Sequence, residues 1–191
     1  MSVIVAGATR KHGIVIAADS EIATTGAKKL WGSYPKLWSS PAGYIFGAAG
    51  GIRAAQAVRF HVPWPRLPHE CEDAYEFAVS ELVPAIREGV QGHGIIRIEN
   101  NTESLGADLI VAWGDNFVLI GDDFSVILPS NGRAAIGAGA SEAYGALGDV
   151  SPITVEAVIE AARRATLTAQ GVGGEIYYIT HQLESPQAFE G

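Results

Sequence analysis

Apolar residues in the first quarter of the chain fall into short runs, rich in Val, Ile and Tyr, with turn residues between them. The runs 2–8, 13–18, 34–39 and 43–48 read as strands. Several are apolar on both faces, which predicts a sheet covered on each side. The period then changes. A helix is predicted from Gly50-Gly51 to about His61, where Pro63, Pro65 and Pro68 stop it. A second, over about 72–91, carries Tyr75, Ala78, Val79, Leu82 and Ile86 at helical spacing, with Pro84 predicting a kink. Residues 92–106 read as an irregular crossing with a short strand at Ile95–Ile98.

Strands resume at 107–113, 116–121, 124–128 and 133–137, with turn sequences at Gly114-Asp115-Asn116 and Ser130-Asn131-Gly132. Two more helices follow, at about 141–148 and 153–170. Ser151 is the expected N-cap of the second and Pro152 its first-turn proline; its buried stripe would be Val155, Val158, Ile159 and Ala162. A strand at 175–180 ends the core, and the tail to Gly191 reads as irregular. Strands, two helices, strands, two helices predict an α+β fold in which two stacked sheets carry a helical layer on each outer side. No boundary or repeat divides the chain, so residues 1–191 read as one domain.

With 191 residues, 48% of them hydrophobic, the chain can build a sizeable core and is not a disordered or low-complexity protein. A net charge of −8 disfavours nucleic acid and anionic membrane as partners. No apolar run reaches the length of a membrane span, and Arg10-Lys11 follow the first apolar stretch instead of preceding it, unlike a secretory leader. The lone Cys71 fits a reducing compartment, and a cytoplasmic location is expected. His69-Glu70-Cys71 are adjacent on a proline-rich loop and do not read as a metal site. Val5-Ala6-Gly7-Ala8 lacks the later glycines of a dinucleotide fingerprint, and His181 reads as a surface histidine at a strand end. Neither metal nor organic cofactor is implied.

The candidate chemistry starts at Ser2. Removal of Met1 would leave a hydroxyl and a free α-amine on one residue, a nucleophile with its own base attached. An α-amine has an ordinary pKa of about 7.7–8.0, so part of it is neutral near pH 7. Three features accompany Ser2: Asp19 closing Gly13-Ile14-Val15-Ile16-Ala17-Ala18-Asp19, Lys36 in Ser33-Tyr34-Pro35-Lys36-Leu37, and the Gly50-Gly51 pair. Singly, Asp19 reads as a turn residue and Lys36 as a surface lysine. Jointly they point to a site.

In that order and spacing the chain resembles the proteasome β-subunit family, and within it the HslV-like branch of N-terminal-nucleophile hydrolases. Ala135-Ile136-Gly137-Ala138-Gly139 with Tyr144-Gly145 is similar to the family's Gly-Ser-Gly stretch, and Gly173-Gly174-Glu175-Ile176-Tyr177 to its last core strand. The resemblance implies the four-layer αββα sandwich, with Ser2 as nucleophile, Lys36 beside it, Asp19 paired to Lys36, and the Gly50 N–H facing the oxyanion. It implies a peptide or unfolded-protein substrate lying extended between the 22–24 segment and Gly50. Ile22, Ala23, Ala48 and Ile52 would bind it, and a roomy apolar pocket would favour cleavage after large hydrophobic residues.

It further implies a homo-oligomeric ring or spiral, with ring size and an AAA+ unfoldase partner left open. Three positions depart from the family pattern. Ala138 stands where a serine is usual, and Ala169 and Val172 stand where an aspartate and a serine are usual, with Thr166, Thr168 or Ser141 as candidate substitutes. Two other readings stay open: a non-catalytic ring subunit of the same fold, and an amidase for small molecules.

Overall fold

The computed structural model describes residues 2–23, 29–31, 36–69, 73–99 and 101–189. Met1, Thr24, Ser33, Tyr34, Pro35, Glu70 and Cys71, which enter the readings above, lie outside them.

The chain opens with two antiparallel strands, β1 (Val3–Thr9) and β2 (Gly13–Asp19). Ile4, Ala6, Ile14, Ile16 and Ala18 enter one apolar cluster, and Val3, Val5, Val15 and Ala17 another. This is the period-two alternation of strands buried on both faces. A short hairpin follows, β3 (Glu21–Ala23) with β4 (Lys29–Trp31), which the sequence pattern does not reveal because three residues carry too little alternation. Then β5 (Leu37–Ser39) pairs with β6 (Ile45–Gly50), and α1 (Ile52–His61) leaves directly from β6.

Next, α2 (Ala74–Phe77) runs through a π-helical segment, Ala78–Leu82, into α3 (Val83–Val90). Pro84 has no N–H to give to the turn before it, and the helix widens there. Ala78, Leu82 and Ile86 are buried as expected, whereas Tyr75 and Val79 are about half exposed, so the apolar stripe is narrower than the sequence suggests. The 92–106 crossing contains a hairpin, β7 (Arg97–Glu99) with β8 (Thr102–Ser104), in place of the single strand expected at Ile95–Ile98.

The second strand set is β9 (Ala107–Trp113), β10 (Asn116–Ile120), β11 (Val126–Ile127) and β12 (Arg133–Gly137). Two helices follow, α4 (Ala140–Leu147) and α5 (Val155–Thr168). Thr154 caps α5, its Oγ1 accepting the Ala157 N–H at 3.2 Å. The cap therefore falls three residues beyond Ser151, and Ser151-Pro152 precede the helix instead of opening it. Val158, Ile159 and Ala162 are buried, together with Ala161 and Ala165, while Val155 is only partly covered. The last core strand is β13 (Ile176–Thr180), and the tail returns as β14 (Gln187–Ala188) against Tyr177 and Tyr178 instead of staying irregular. His181, expected at the surface, is partly exposed at the end of β13, but its ring nitrogens are shielded from solvent, and burial lowers its pKa.

Two five-stranded sheets result, in the orders β12-β1-β2-β13-β14 and β11-β10-β9-β6-β5. They stack through Ile4, Ile16, Ile45, Ile110 and Phe117. Phe46, Leu109 and Val111 on the outer face of the second sheet meet α1–α3 through Val58, Leu82 and Ile86. Val5 and Val15 on the outer face of the first meet α4 and α5 through Leu147 and Val158. Three apolar layers thus separate four layers of structure, the αββα sandwich that the sequence predicts. Antiparallel pairing brings the start of β1, the ends of β2 and β12 and the start of β13 to one rim of the first sheet.

Candidate active site

Ser2 sits at that rim, immediately before β1, and is 6% exposed. The peptide linking it to Val3 is held from both ends. The Ser2 carbonyl accepts the Gly139 N–H at 3.3 Å, and the Val3 N–H donates to Asp19 Oδ1 at 2.8 Å. Close packing is built in on the β12 side. Gly137 has φ +90°, and a Cβ there would overlap the Ser2 carbonyl oxygen. Only glycine meets both conditions without strain.

Asp19, at the end of β2, gathers three donors. Its Oδ1 accepts from Val3 N–H and from Lys36 Nζ, the latter at 2.6 Å, and its Oδ2 accepts from the Gly173 N–H at 3.1 Å. Both members of the Lys36–Asp19 pair are buried, with side-chain exposures of 4% and 0%. Burial lowers the Lys36 pKa below its usual value, and attraction to Asp19 and Glu21 opposes that shift. Backbone pairing fixes where Lys36 starts, because its carbonyl accepts the Ala48 N–H at 3.1 Å.

The same pairing orients Gly50. Along β6 the Ala48 N–H bonds toward Lys36 and the Gly51 N–H bonds toward β9, to the Gly106 carbonyl at 2.7 Å. Alternation then turns the Gly50 N–H away from β9, to the side of Lys36 and one step beyond the Ala48–Lys36 bond. Gly50 is exposed and has φ +138°, and a Cβ there would lie 2.6 Å from Ala107 Cα and from the Gly106 oxygen. Behind it, Asp122 accepts the Gly106 N–H and the Ser104 hydroxyl, which braces the bend at Gly106 between β8 and β9.

Ile22 lies in β3 and is half-buried; Ala23 closes that strand. Ala48 is 5% exposed, in the apolar layer between β6 and the helices, and Ile52 opens α1 with 39% exposure. Ala138 is exposed beside Gly137 and Gly139. Val172 is buried in the apolar layer under α5, with Ala169 packed against it, and Thr166 donates its hydroxyl to the Arg163 carbonyl within α5. Ser141 and Thr168 are exposed on α4 and α5.

Two residues at the site escape the sequence reading, Glu21 and Asp122. Glu21 is 1% exposed. Its position two residues after Asp19, at strand spacing, was the available signal. Asp122 in Gly121-Asp122-Asp123 gives only a turn signal. Among the described residues, the buried polar and charged side chains are Ser2, Asp19, Glu21, Lys36 and Thr180. The first four converge on this rim. The described residues contain no cluster of three or more metal-capable side chains.

A two-sheet sandwich with helices on both outer sides and β1 leading inward from Ser2 is the proteasome-like N-terminal-nucleophile hydrolase fold. The chain is similar to BPH of Thiobacillus denitrificans, solved in complex with epoxomicin, with 17% identity over 93% of this chain and 97% of that one and a TM-score of 0.72. It is similar to HslV from Trypanosoma brucei, with 20% identity over 93% and 98% of the two chains and a TM-score of 0.66. A third likeness is to the Anbu (Gly-1) mutant from Hyphomicrobium sp. strain MC1, with 16% identity over 100% and 85% and a TM-score of 0.68. No protein-family model matches the sequence, and no curated protein matches it significantly.

Proposed function

We propose that the chain is an N-terminal-nucleophile peptidase whose nucleophile is Ser2 after loss of Met1. The observation that carries this reading is the convergence of buried Ser2, Asp19 and Lys36 at one rim of the first sheet. Ser2 Oγ attacks the peptide carbonyl carbon while the α-amine of the same residue accepts the hydroxyl proton. The developing oxyanion is met by the Gly50 N–H. Collapse of the tetrahedral species transfers that proton to the leaving amine and leaves an ester on Ser2. Water, deprotonated by the α-amine, hydrolyses the ester and returns Ser2 to its starting state. Lys36 favours the neutral amine and the developing alkoxide, and Asp19 holds Lys36 and the backbone of β1 in place.

The substrate is a peptide or unfolded protein lying as an extended strand between β3, at Ile22 and Ala23, and the Gly50 turn, held by main-chain hydrogen bonds. Ile22, Ala48 and Ile52 line an apolar pocket suited to a large hydrophobic residue before the scissile bond. Enclosure in a homo-oligomeric ring or spiral keeps such a site from unselected protein, with an AAA+ unfoldase as a candidate feeder. The expected location is the cytoplasm. Among the described residues no helix is long and apolar enough to cross a membrane.

Apolar Ala169 and Val172, packed under α5, favour a second reading, a ring subunit without activity. Intact mass before and after incubation with a peptide epoxyketone such as epoxomicin separates the two. A starting mass lacking Met1 and one adduct, absent in Ser2→Ala, supports the peptidase. Retention of Met1 with no adduct supports the structural subunit.

A further inference from the structure

A groove that the proposed mechanism does not use runs between α1 and the loop 91–95. Arg53, Gln56, Phe60 and His61 recur at helical spacing and share the face of α1 that lines it. His93 lies across from them, and buried Ala57 and Ile95 form the floor. Glycines on both sides of His93, with φ +84° at Gly92 and +64° at Gly94, turn the loop back onto the helix. The groove holds about 430 Å³, at the small end of ligand sites.

Its polar groups gather on one spot. Arg53 donates to the His93 carbonyl at 2.8 Å, and the His61 and His93 rings stack at 4.0 Å between centroids and 15° between planes. Imidazole lone pairs lie in the ring plane, and near-parallel planes do not converge on one metal ion. Near-parallel N–H donors can instead meet two oxygens of one phosphate, with the guanidinium fork of Arg53 on the others. The charge fits. The chain carries 21 acidic side chains against 13 basic ones, yet no carboxylate is among the described residues lining this groove.

The apolar part is an aromatic face. Phe60 is 66% exposed, and the Arg59 guanidinium sits 4.7 Å from its ring centre. A lone exposed phenylalanine is ordinary on a surface. This one lines the same groove as Arg53 and the two histidines, and an aromatic ring offers a stacking platform to a flat base.

We propose that the groove binds a small phosphorylated aromatic ligand of the nucleoside monophosphate class. The phosphate lies at Arg53, His61 and His93, and the base lies on Phe60. The volume suits one nucleotide, whereas the net charge of −8 repels a nucleic-acid strand. The inference is independent of the peptidase reading.

The test titrates the full chain at low salt with AMP, inorganic phosphate, adenosine and succinate. The imidazole C2–H resonances of His61 and His93, assigned through His61→Gln and His93→Gln, report both affinity and place. AMP is expected to move both resonances and to bind at least about fivefold more tightly than inorganic phosphate, the share that stacking on Phe60 supplies. Arg53→Gln should weaken AMP at least about tenfold. Phe60→Ala should bring AMP down to the level of phosphate and leave phosphate itself unchanged. The proposal is overturned if AMP fails to bind at millimolar concentration or binds without moving either resonance. Phosphate or succinate binding as tightly as AMP also overturns it, as an adventitious ion only, and adenosine binding as tightly as AMP removes the phosphate. Unchanged AMP affinity in a folded Arg53→Gln has the same force. If that variant does not fold, unchanged AMP affinity in Phe60→Ala overturns the proposal, and a loss confined to AMP supports it.

Discussion

The Val3 N–H and the Lys36 ammonium meet at a single oxygen, Oδ1 of Asp19, at 2.8 and 2.6 Å. One carboxylate therefore sets both the position of the first strand and the position of the buried cation. Asp19→Asn separates those two duties. The amide oxygen can still accept the Val3 N–H, but Lys36 loses its paired charge inside the protein. A stability loss of about 3–5 kcal/mol is expected, as for other buried pairs broken on one side. Epoxyketone adduct formation should be lost with it. Thermal melting and adduct mass check the pair of outcomes, and a melting temperature unchanged from wild type would contradict the burial argument.

Gly50→Ala tests the oxyanion assignment. The added Cβ would sit 2.6 Å from Ala107 Cα at a φ of +138°, so the turn has to shift and with it the N–H. Strain of about 1–3 kcal/mol is expected in stability. The rate should fall about a hundredfold, within the range for loss of one oxyanion donor. Because the donor matters only as negative charge develops, the loss should appear in kcat with KM little changed. A fall confined to KM would assign Gly50 to substrate binding instead.

Much of this site is legible in the sequence because its members are spaced by regular strands. Ser2 heads a strand, Asp19 ends the next, and Lys36 and Gly50 bracket a third pairing, so their order carries their geometry. The strands at 107–113 and 133–137 are legible for a similar reason, since Gly114 and Asn131-Gly132 mark where they turn. Features decided by tertiary contact are not. Glu21 reads as a polar residue near a turn until Gly173 is folded over it, and β14 forms only because Tyr177 and Tyr178 offer a free edge. The cap of α5 moves to Thr154 because the hydroxyl of that residue, not Ser151, reaches the Ala157 N–H.

His181 predicts a pH effect on stability that does not involve Ser2, Asp19 or Lys36. Burial lowers its pKa in the folded chain, with the Ala112 backbone and the Asp115 charge pulling the other way. The unfolded chain takes up the proton near the ordinary value of about 6.5. The contribution of the neutral ring is therefore complete above that pH and is lost as pH falls through the lower folded value. Melting temperature should drop on acidification below about pH 6.5, and His181→Phe should flatten that part of the profile. Parallel profiles for the two proteins would show that other groups govern acid sensitivity.

Neighbouring residues Gly137 and Ala138 should respond in opposite ways to a single added group. At Gly137 a Cβ would overlap the Ser2 carbonyl oxygen and lie 3.1 Å from Ala49 Cβ, on a backbone with φ +90°. Gly137→Ala has no room to relax toward β6, so the displacement must fall on Ser2. Adduct formation should drop at least tenfold, alongside a stability loss of about 1–3 kcal/mol. Ala138 is exposed, and Ala138→Ser adds a hydroxyl without a clash. Its stability should stay within about 0.5 kcal/mol of wild type. By the resemblance that places a serine here, its hydroxyl can support the Ser2 amine and raise the adduct rate. Adduct rates measured side by side on the two variants decide the matter. A slow Gly137→Ala with an unchanged or faster Ala138→Ser places the carbonyl of Ser2 under the control of β12. Equal rates in both would mean that β12 does not position Ser2.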